Sequence, residues 1–270
     1  MSAMSHAAQR DFHPATYIVL NEEDYRVLTE AEFGAPGLVA IEAVGPFVDI
    51  QASGPLVTVH DSTVEPHLGI GHHRHRYNER FFYIMAGQLD HDDSLNHIQG
   101  HMEPGDVGLF TEGKLGMLHS EWNHGDVATH AYILVYSTEP VPERASFTVL
   151  HDADAPRYNE GEGVRTKELL GANSGLRVHG DIRLFTDSTI RGGWPLVVTL
   201  SDREGGLLSI QQGQIELDGQ RIGKGATILL PPAEGERSLT VRAVGKARVL
   251  RVVHGPGYGF VRMSDRARLR

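Results

Sequence analysis

The stretch Gly69-Ile70-Gly71-His72-His73-Arg74-His75-Arg76-Tyr77-Asn78-Glu79, with the shorter Leu118-His119-Ser120-Glu121 downstream, decides how this chain is read. Each stretch holds two donor side chains two residues apart, the spacing at which residues of a β-strand share one face. His73 and His75 then point to one side of a strand, and His119 and Glu121 to one side of another. Two such strands facing each other bring four donors together. Three imidazoles and a carboxylate suit a divalent first-row transition ion better than calcium or magnesium, whose ligands are mostly oxygens. A mononuclear metal site is the expectation. Glu79 lies four residues after His75, on the same face of a continuing strand, and competes with Glu121 for the carboxylate position.

A solitary histidine in a β protein is more often a surface or hydrogen-bonded residue than a ligand. His72, His91, His97, His101, His124, His130 and His151 take that reading among the 16 histidines. Cysteine is absent, which excludes disulfides and thiolate ligands and leaves any metal to histidine and carboxylate. The net charge of −10 argues against a nucleic-acid or anionic-membrane surface, because such partners demand clustered Lys and Arg. Residues Met1 to Asp11 have neither an apolar core nor a basic start, and no apolar run approaches the roughly 18 residues of a membrane span. A soluble, cytoplasmic protein with no direct nucleic-acid partner and no membrane partner is expected.

At 270 residues the chain has room for one large domain or two ordinary ones, and two is the reading adopted. After a leader over Met1 to Pro14 and a first strand at Tyr17 to Leu20, short apolar runs alternate with turn residues: Leu38 to Val44, Phe47 to Ile50, Leu56 to His60, Phe81 to Met85, Ala131 to Tyr136. That is the cadence of an all-β sandwich or barrel. A Pro-, Asp- and Glu-rich segment over 141–163 divides an N-terminal metal-binding unit, 15–140, from a C-terminal unit, 164–270. Asp218-Gly219 is a hairpin signal in the second unit. The second unit repeats the first one's strand-and-turn order without either ligand pair, and its histidines, His179 and His254, are too few for a site. Phe81, Tyr83 and Met85 continue the ligand face and are expected inside the first barrel. Arg74 and Arg76 alternate outward, Trp194 packs the second core, and Arg262 to Arg270 is a short solvated basic tail.

The ordered series His73-Arg-His-Arg-Tyr-Asn-Glu79, Met85-Ala-Gly87, Asp93-Ser-Leu95, Pro104-Gly-Asp-Val107 and Thr111-Glu-Gly-Lys-Leu-Gly-Met-Leu-His-Ser-Glu121 resembles the pirin branch of the cupin superfamily. That branch carries H-P-H-R-G-F-E, L-E-G, D-S-L, P-G-D-V and T-A-G-x-G-I-x-H-S-E in the same order. The resemblance covers about residues 45 to 125, and the second half is similar to the family's C-terminal barrel in cadence only. It implies a bicupin, two tandem double-stranded β-helix (jelly-roll) barrels with metal in the first. The family's ligands match His73, His75, His119 and Glu121, which leaves Glu79 as a neighbour, although in the wider cupin pattern a Glu at that position is a ligand. Arg74 stands for the family's proline, Tyr77-Asn78 for its Gly-Phe, and Glu112, Lys114 and Leu115 alter the loop before His119.

Four protein ligands around an octahedral ion leave two positions open. Iron(II) heads the candidate metals, with manganese, nickel, cobalt, copper and zinc also accepting these ligands. The resemblance implies a dioxygenase of the quercetin 2,3-dioxygenase kind acting on a flavonol or similar small aromatic hydroxy compound, with Glu121 both ligand and catalytic base. The alternative it implies is a non-catalytic, metal-dependent regulatory protein that binds a protein partner.

Overall fold

Short β-branched and aromatic runs separated by Gly, Pro and Asp turns leave strand as the element that can satisfy the backbone along most of this chain. The computed structural model describes residues 13–14 and 16–267, with side chains over 16–265. The leader lies outside the described residues except for His13–Pro14, and so does the end of the basic tail. What is described is all-β, with two short helices, Glu30–Phe33 and Met263–Ala267, and one 3-10 turn, Glu22–Asp24.

The first half folds into two sheets. The larger runs in the order Ser146–Leu150, Val107–Thr111, Asn78–Ala86, Thr129–Ser137, Leu56–Val64, Leu38–Val44, Arg26–Leu28. The smaller runs Ile98–Met102, Leu89–Asp93, Met117–Trp122, Gly69–His75. Between them lie Phe82, Ile84, Leu89, Met102, Phe110, Met117 and Ala131. The second half repeats the plan with a seven-stranded and a five-stranded sheet. Its interior is filled by Val164, Ile190, Leu208, Ile210, Ile228, Val249 and their neighbours. The hairpin at Asp218-Gly219 forms as its sequence dictates, with both residues in the left-handed region (φ 49° and 78°) between Gln214–Leu217 and Gln220–Gly223.

Both ends of the chain cross over. Ile18–Leu20 pairs antiparallel with Thr227–Leu230 of the second half, and Phe260–Arg262 pairs with Ile50–Ser53 of the first. Arg262, read as part of a solvated tail, donates from Nε to Asp49 Oδ2 at 2.8 Å.

The two large sheets pack on each other. Phe81, Tyr83, Tyr132, Leu134 and Tyr136 from the first meet Phe185, Leu207, Leu250 and Val252 from the second, with Met85 packed against the same cluster. Phe81, Tyr83 and Met85 therefore face the seam between the barrels and not the interior of the first, which corrects the expectation from the sequence. Tyr83 also donates its hydroxyl to Asp187 Oδ2 at 2.6 Å, and Arg248 Nη2 reaches the same oxygen at 2.6 Å.

The reversed parity originates at Tyr77. Its φ of 81° places a non-glycine residue in the left-handed region between Gly69–His75 and Asn78–Ala86. A side chain there costs about 1–2 kcal/mol, against roughly 0.5–1 kcal/mol for glycine's greater unfolded-state freedom. Tyr77→Gly is accordingly expected to raise stability by up to about 1 kcal/mol, visible as a higher urea midpoint. An unchanged or lowered midpoint means that the exposed Tyr77 ring, under the Arg76 guanidinium at 4.8 Å, outweighs the strain.

His254 gives the fold a pH dependence. The ring is fully buried beside Ser53, with Nδ1 donating to the Gly255 carbonyl at 2.8 Å, and a Cβ on Gly54 would lie 2.1 Å from Nδ1. Burial holds its pKa down at about 4, below the ordinary 6.5. Between these values the unfolded chain binds a proton that the folded chain refuses. Folded-state stability falls as pH drops from about 6.5 toward about 4, by about 3 kcal/mol for this group, and is fully present above that window. Urea unfolding of the metal-free protein from pH 7.5 to 4.5 is expected to show this decline, with a shallower slope for His254→Gln.

Candidate metal centre

Register brings the two ligand pairs together. Met117–Trp122 runs antiparallel to Gly69–His75 with His119 opposite His73 and Met117 opposite His75, and a bulge follows that sets Glu121 opposite Ile70. The extra residue sits at Gly71-His72, and there His73 Nδ1 donates to the Gly71 carbonyl at 2.9 Å. A carbonyl can only accept, so this bond fixes the proton on Nδ1 and leaves the Nε2 lone pair for the site. The three rings cluster with centroids 4.7 Å (His73–His75), 4.6 Å (His73–His119) and 5.0 Å (His75–His119) apart. One ring nitrogen from each lies within 4.8 Å of the others. Glu121 adds Oε1 at 3.1 Å from His119 Nδ1 and Oε2 at 3.9 Å from His73 Nε2.

The chemistry of this donor set fits a cation. His119 is fully buried and Glu121 nearly so, yet both ring nitrogens of the one and both oxygens of the other have no hydrogen-bond partner, even across the 3.1 Å contact between them. Buried polar atoms without partners cost about 1–3 kcal/mol each, more for charged groups, and convergent lone pairs on several residues are what a metal ion satisfies. Burial pushes the His75 pKa down to about 2 and the His119 pKa lower still, with Arg80 and the neighbouring imidazoles adding to the effect. His73 is lowered mainly by burial as well. All three imidazoles are therefore neutral at physiological pH, the form that ligates. Burial raises Glu121 to about 7, with Arg80 pulling the other way.

Glu79 is elsewhere. Tyr77 resets the alternation, so that Glu79 turns to the seam between the barrels, where it is fully buried and accepts from Thr111 Oγ1 (2.7 Å), His179 N (2.8 Å), His179 Nδ1 (2.8 Å) and Gly180 N (3.1 Å). The expectation that Glu79 shares the face of His75 does not hold. Arg74 and Arg76 are exposed, on the outer side.

Two residues at the centre escaped the sequence reading. His91, taken as an ordinary histidine, is 2% exposed with neither ring nitrogen hydrogen-bonded, and it lies directly opposite Glu121 in the neighbouring strand. Burial lowers its pKa to about 4. His91, His119 and Glu121 form a second convergent group deeper in the barrel. No local signal marks it: Asp92 and Asp93, which read as a turn in the sequence, continue the strand Leu89–Asp93 that carries His91, and only the register against Met117–Trp122 sets His91 beside Glu121. Arg80 is the other, a cation inside an otherwise apolar run, paired through Nε (3.0 Å) and Nη2 with Glu112 Oε1.

A cavity of about 340 Å³ opens above the donor set. His73, His75, Glu121, Asn78 and Arg80 supply its polar wall, and Val57, Ile133 and Val135 are among the residues of its apolar wall. Phe33, at the end of a helix capped by Thr29 and Glu32, closes part of the rim. The volume falls in the range of small-molecule sites. Among the described residues, both convergent groups lie in the first barrel.

Residues 28–137 match the family model described as Pirin. Pirin-like protein 2 of Arabidopsis thaliana is 29% identical over 144 residues, 52% of this chain and 44% of that protein. The quercetin 2,3-dioxygenase of Escherichia coli K12 is 26% identical over 136 residues, 48% of this chain and 54% of that protein. The matched stretch thus spans about half the length of these relatives. Among solved structures, GK1651 from Geobacillus kaustophilus superposes with a TM-score of 0.75 at 20% identity, over 90% of this chain and 98% of that one. The bacterial pirin YhhW from Escherichia coli, solved in complex with nickel(II), gives 0.67 at 17% identity, over 86% and 99%. At these identities the structural likeness carries the fold.

Substitution separates the carboxylates. His119→Ala and Glu121→Gln are expected to lower bound metal, measured by elemental analysis after dialysis, at least tenfold. Glu79→Gln is expected to keep wild-type metal content while unfolding at lower urea, because it disturbs four hydrogen bonds at the seam. Loss of metal in Glu79→Gln with Glu121→Gln unaffected would reverse the assignment.

Proposed function

The chain belongs to the pirin family of the cupin superfamily, and from that premise we propose that it is a metal-dependent oxygenase of the quercetin 2,3-dioxygenase kind, acting on a flavonol or similar aromatic hydroxy compound. The observation that carries the proposal is the cluster of His73, His75 and His119, which Glu121 joins through His119 (3.1 Å) and His73 (3.9 Å), with the buried donors of His119 and Glu121 unpartnered, beside a largely apolar cavity of about 340 Å³. A purely structural metal site closes its coordination sphere with protein, whereas this donor set borders a cavity of ligand size. That feature favours a small-molecule reaction over a metal that only shapes a partner-binding surface.

His73, His75, His119 and Glu121 hold the metal, with iron(II) first among the candidates and nickel supported by the complex of the Escherichia coli relative. Residues 15–140 form the working unit, 164–270 the supporting one and 141–163 their connection, in a cytoplasmic protein. When bound, the metal supplies Lewis acidity at the substrate hydroxyl and access to dioxygen chemistry. The chain's own groups do the rest. The Gly71 carbonyl holds the His73 ring in one tautomer and orientation. Val57, Ile133 and Val135 pack the aromatic body and exclude water from the reacting end. Glu121 accepts the hydroxyl proton on a carboxylate oxygen that does not hold the metal.

Purified protein reconstituted in turn with iron, manganese, nickel and cobalt is expected to bleach quercetin in air with at least one of them, and His119→Ala with none. Absence of bleaching across all four metals, with metal content verified, sinks the oxygenase reading.

A further inference from the structure

Arg80 is placed where an apolar residue would pack more cheaply. It stands in Asn78–Ala86 opposite Phe110 on one neighbouring strand and Val135 on the other, and its side chain is 8% exposed. Burying a guanidinium costs several kcal/mol unless it is paired. The pairing comes from Glu112, fully buried behind it, whose Oε1 takes Arg80 Nε and Nη2 and whose Oε2 takes the Asn78 amide at 3.0 Å. Arg80 lines the cavity and Glu112 does not, so the pair presents its positive end to the occupant. Among the described residues no hydrogen bond takes Arg80 Nη1. Of the other ionisable groups on the cavity wall, His60 is tied to Glu42 at 2.9 Å, and His73, His75 and Glu121 belong to the metal centre. Arg80 is thus the permanent cation facing the occupant.

We propose that the natural ligand of this cavity is an organic anion whose carboxylate accepts a hydrogen bond from Arg80 Nη1 while its apolar body lies along Val57, Ile133 and Val135. The inference rests on reading the cavity as a substrate site and narrows the substrate class: among aromatic hydroxy compounds, those that also carry a carboxylate are preferred to neutral ones of the same shape, and quercetin, which has none, is a surrogate substrate. A charge-assisted bond to a guanidinium in a dry pocket discriminates against a neutral isostere by about tenfold or more.

The test is calorimetric titration of the 270-residue, zinc-loaded protein with 2-hydroxybenzoate and with its neutral amide. Zinc favours the anion by itself, so the deciding comparison is with Arg80→Gln/Glu112→Gln, which removes both buried charges together. The preference for the acid over the amide is expected to shrink about tenfold in the double variant at unchanged zinc content. An undiminished preference overturns the proposal. Should the double variant fail to fold, Arg80→Lys keeps the charge balance with Glu112 while losing the Nη1 donor. The acid is then expected to bind severalfold more weakly and the amide as before, and unchanged binding of the acid overturns the proposal equally. Quercetin bleaching by the wild-type protein is read separately, so loss of the oxygenase reading and loss of the anion preference are different results.

Discussion

Tyr77 sets the phase of the strand that builds both the wall of the metal centre and the seam between the barrels. At φ 81° it breaks the alternation begun at His73 and His75, and three hydrogen bonds hold it there: Tyr77 N to Gly113 O (3.2 Å), Thr138 Oγ1 to Tyr77 O (2.8 Å) and Asn78 N to Glu112 Oε2 (3.0 Å). Beyond it, Glu79, Phe81 and Tyr83 turn to the second barrel, while Arg80, Phe82 and Ile84 turn to the interior of the first. A slip of one residue would exchange the two sets, bringing a carboxylate under the cavity and a guanidinium into an apolar seam. Neither environment could satisfy what it received, because Glu79 needs the four donors that it finds at the seam and Arg80 needs Glu112.

Desolvation then decides the protonation states at the centre. The smaller sheet presses His91 and His119 against Phe110, with ring centroids 4.7 and 6.2 Å away, and His91 against Phe147 at 5.1 Å. An imidazolium in such surroundings loses its hydration without gaining a partner, so the rings stay neutral with their lone pairs available. The same burial discourages charge on Glu121, and Arg80 partly offsets it. Low dielectric, with Arg80 adding to it, thus keeps the His75 and His119 lone pairs free of protons.

How much of this was legible follows from the range of each interaction. That His73 and His75 share a face was readable because strand periodicity is local, and the Asp218-Gly219 hairpin because turn chemistry is. The side on which Glu79 lies was not, since it hangs on a left-handed backbone at a tyrosine, a residue type that gives no warning of it. His91 was missed because its nearness to Glu121 depends on cross-strand register and not on spacing along the chain. Glu112 was visible as an oddity, but its meaning required Arg80, 32 positions away. The exchange of chain ends, with Ile18–Leu20 on the second barrel and Phe260–Arg262 on the first, is a long-range pairing with no local signature.

The second barrel acquires a role from this arrangement even though its own interior is packed with Val, Ile and Leu. His179 and Gly180 clamp Glu79, and Asp187, aligned by Arg248, takes the Tyr83 hydroxyl, so two alternate residues of Asn78–Ala86 are anchored from the seam side. The residues between and beside them, Arg80 and Phe82, form the cavity wall on the opposite side of the same strand. A strand anchored at alternate positions on one face cannot rotate or shift register on the other. The carboxylate that spacing offered as a ligand is therefore better understood as the bolt that fixes the wall beside the histidine cluster: Glu79 acts through the backbone it shares with Arg80, from the far side of the sheet.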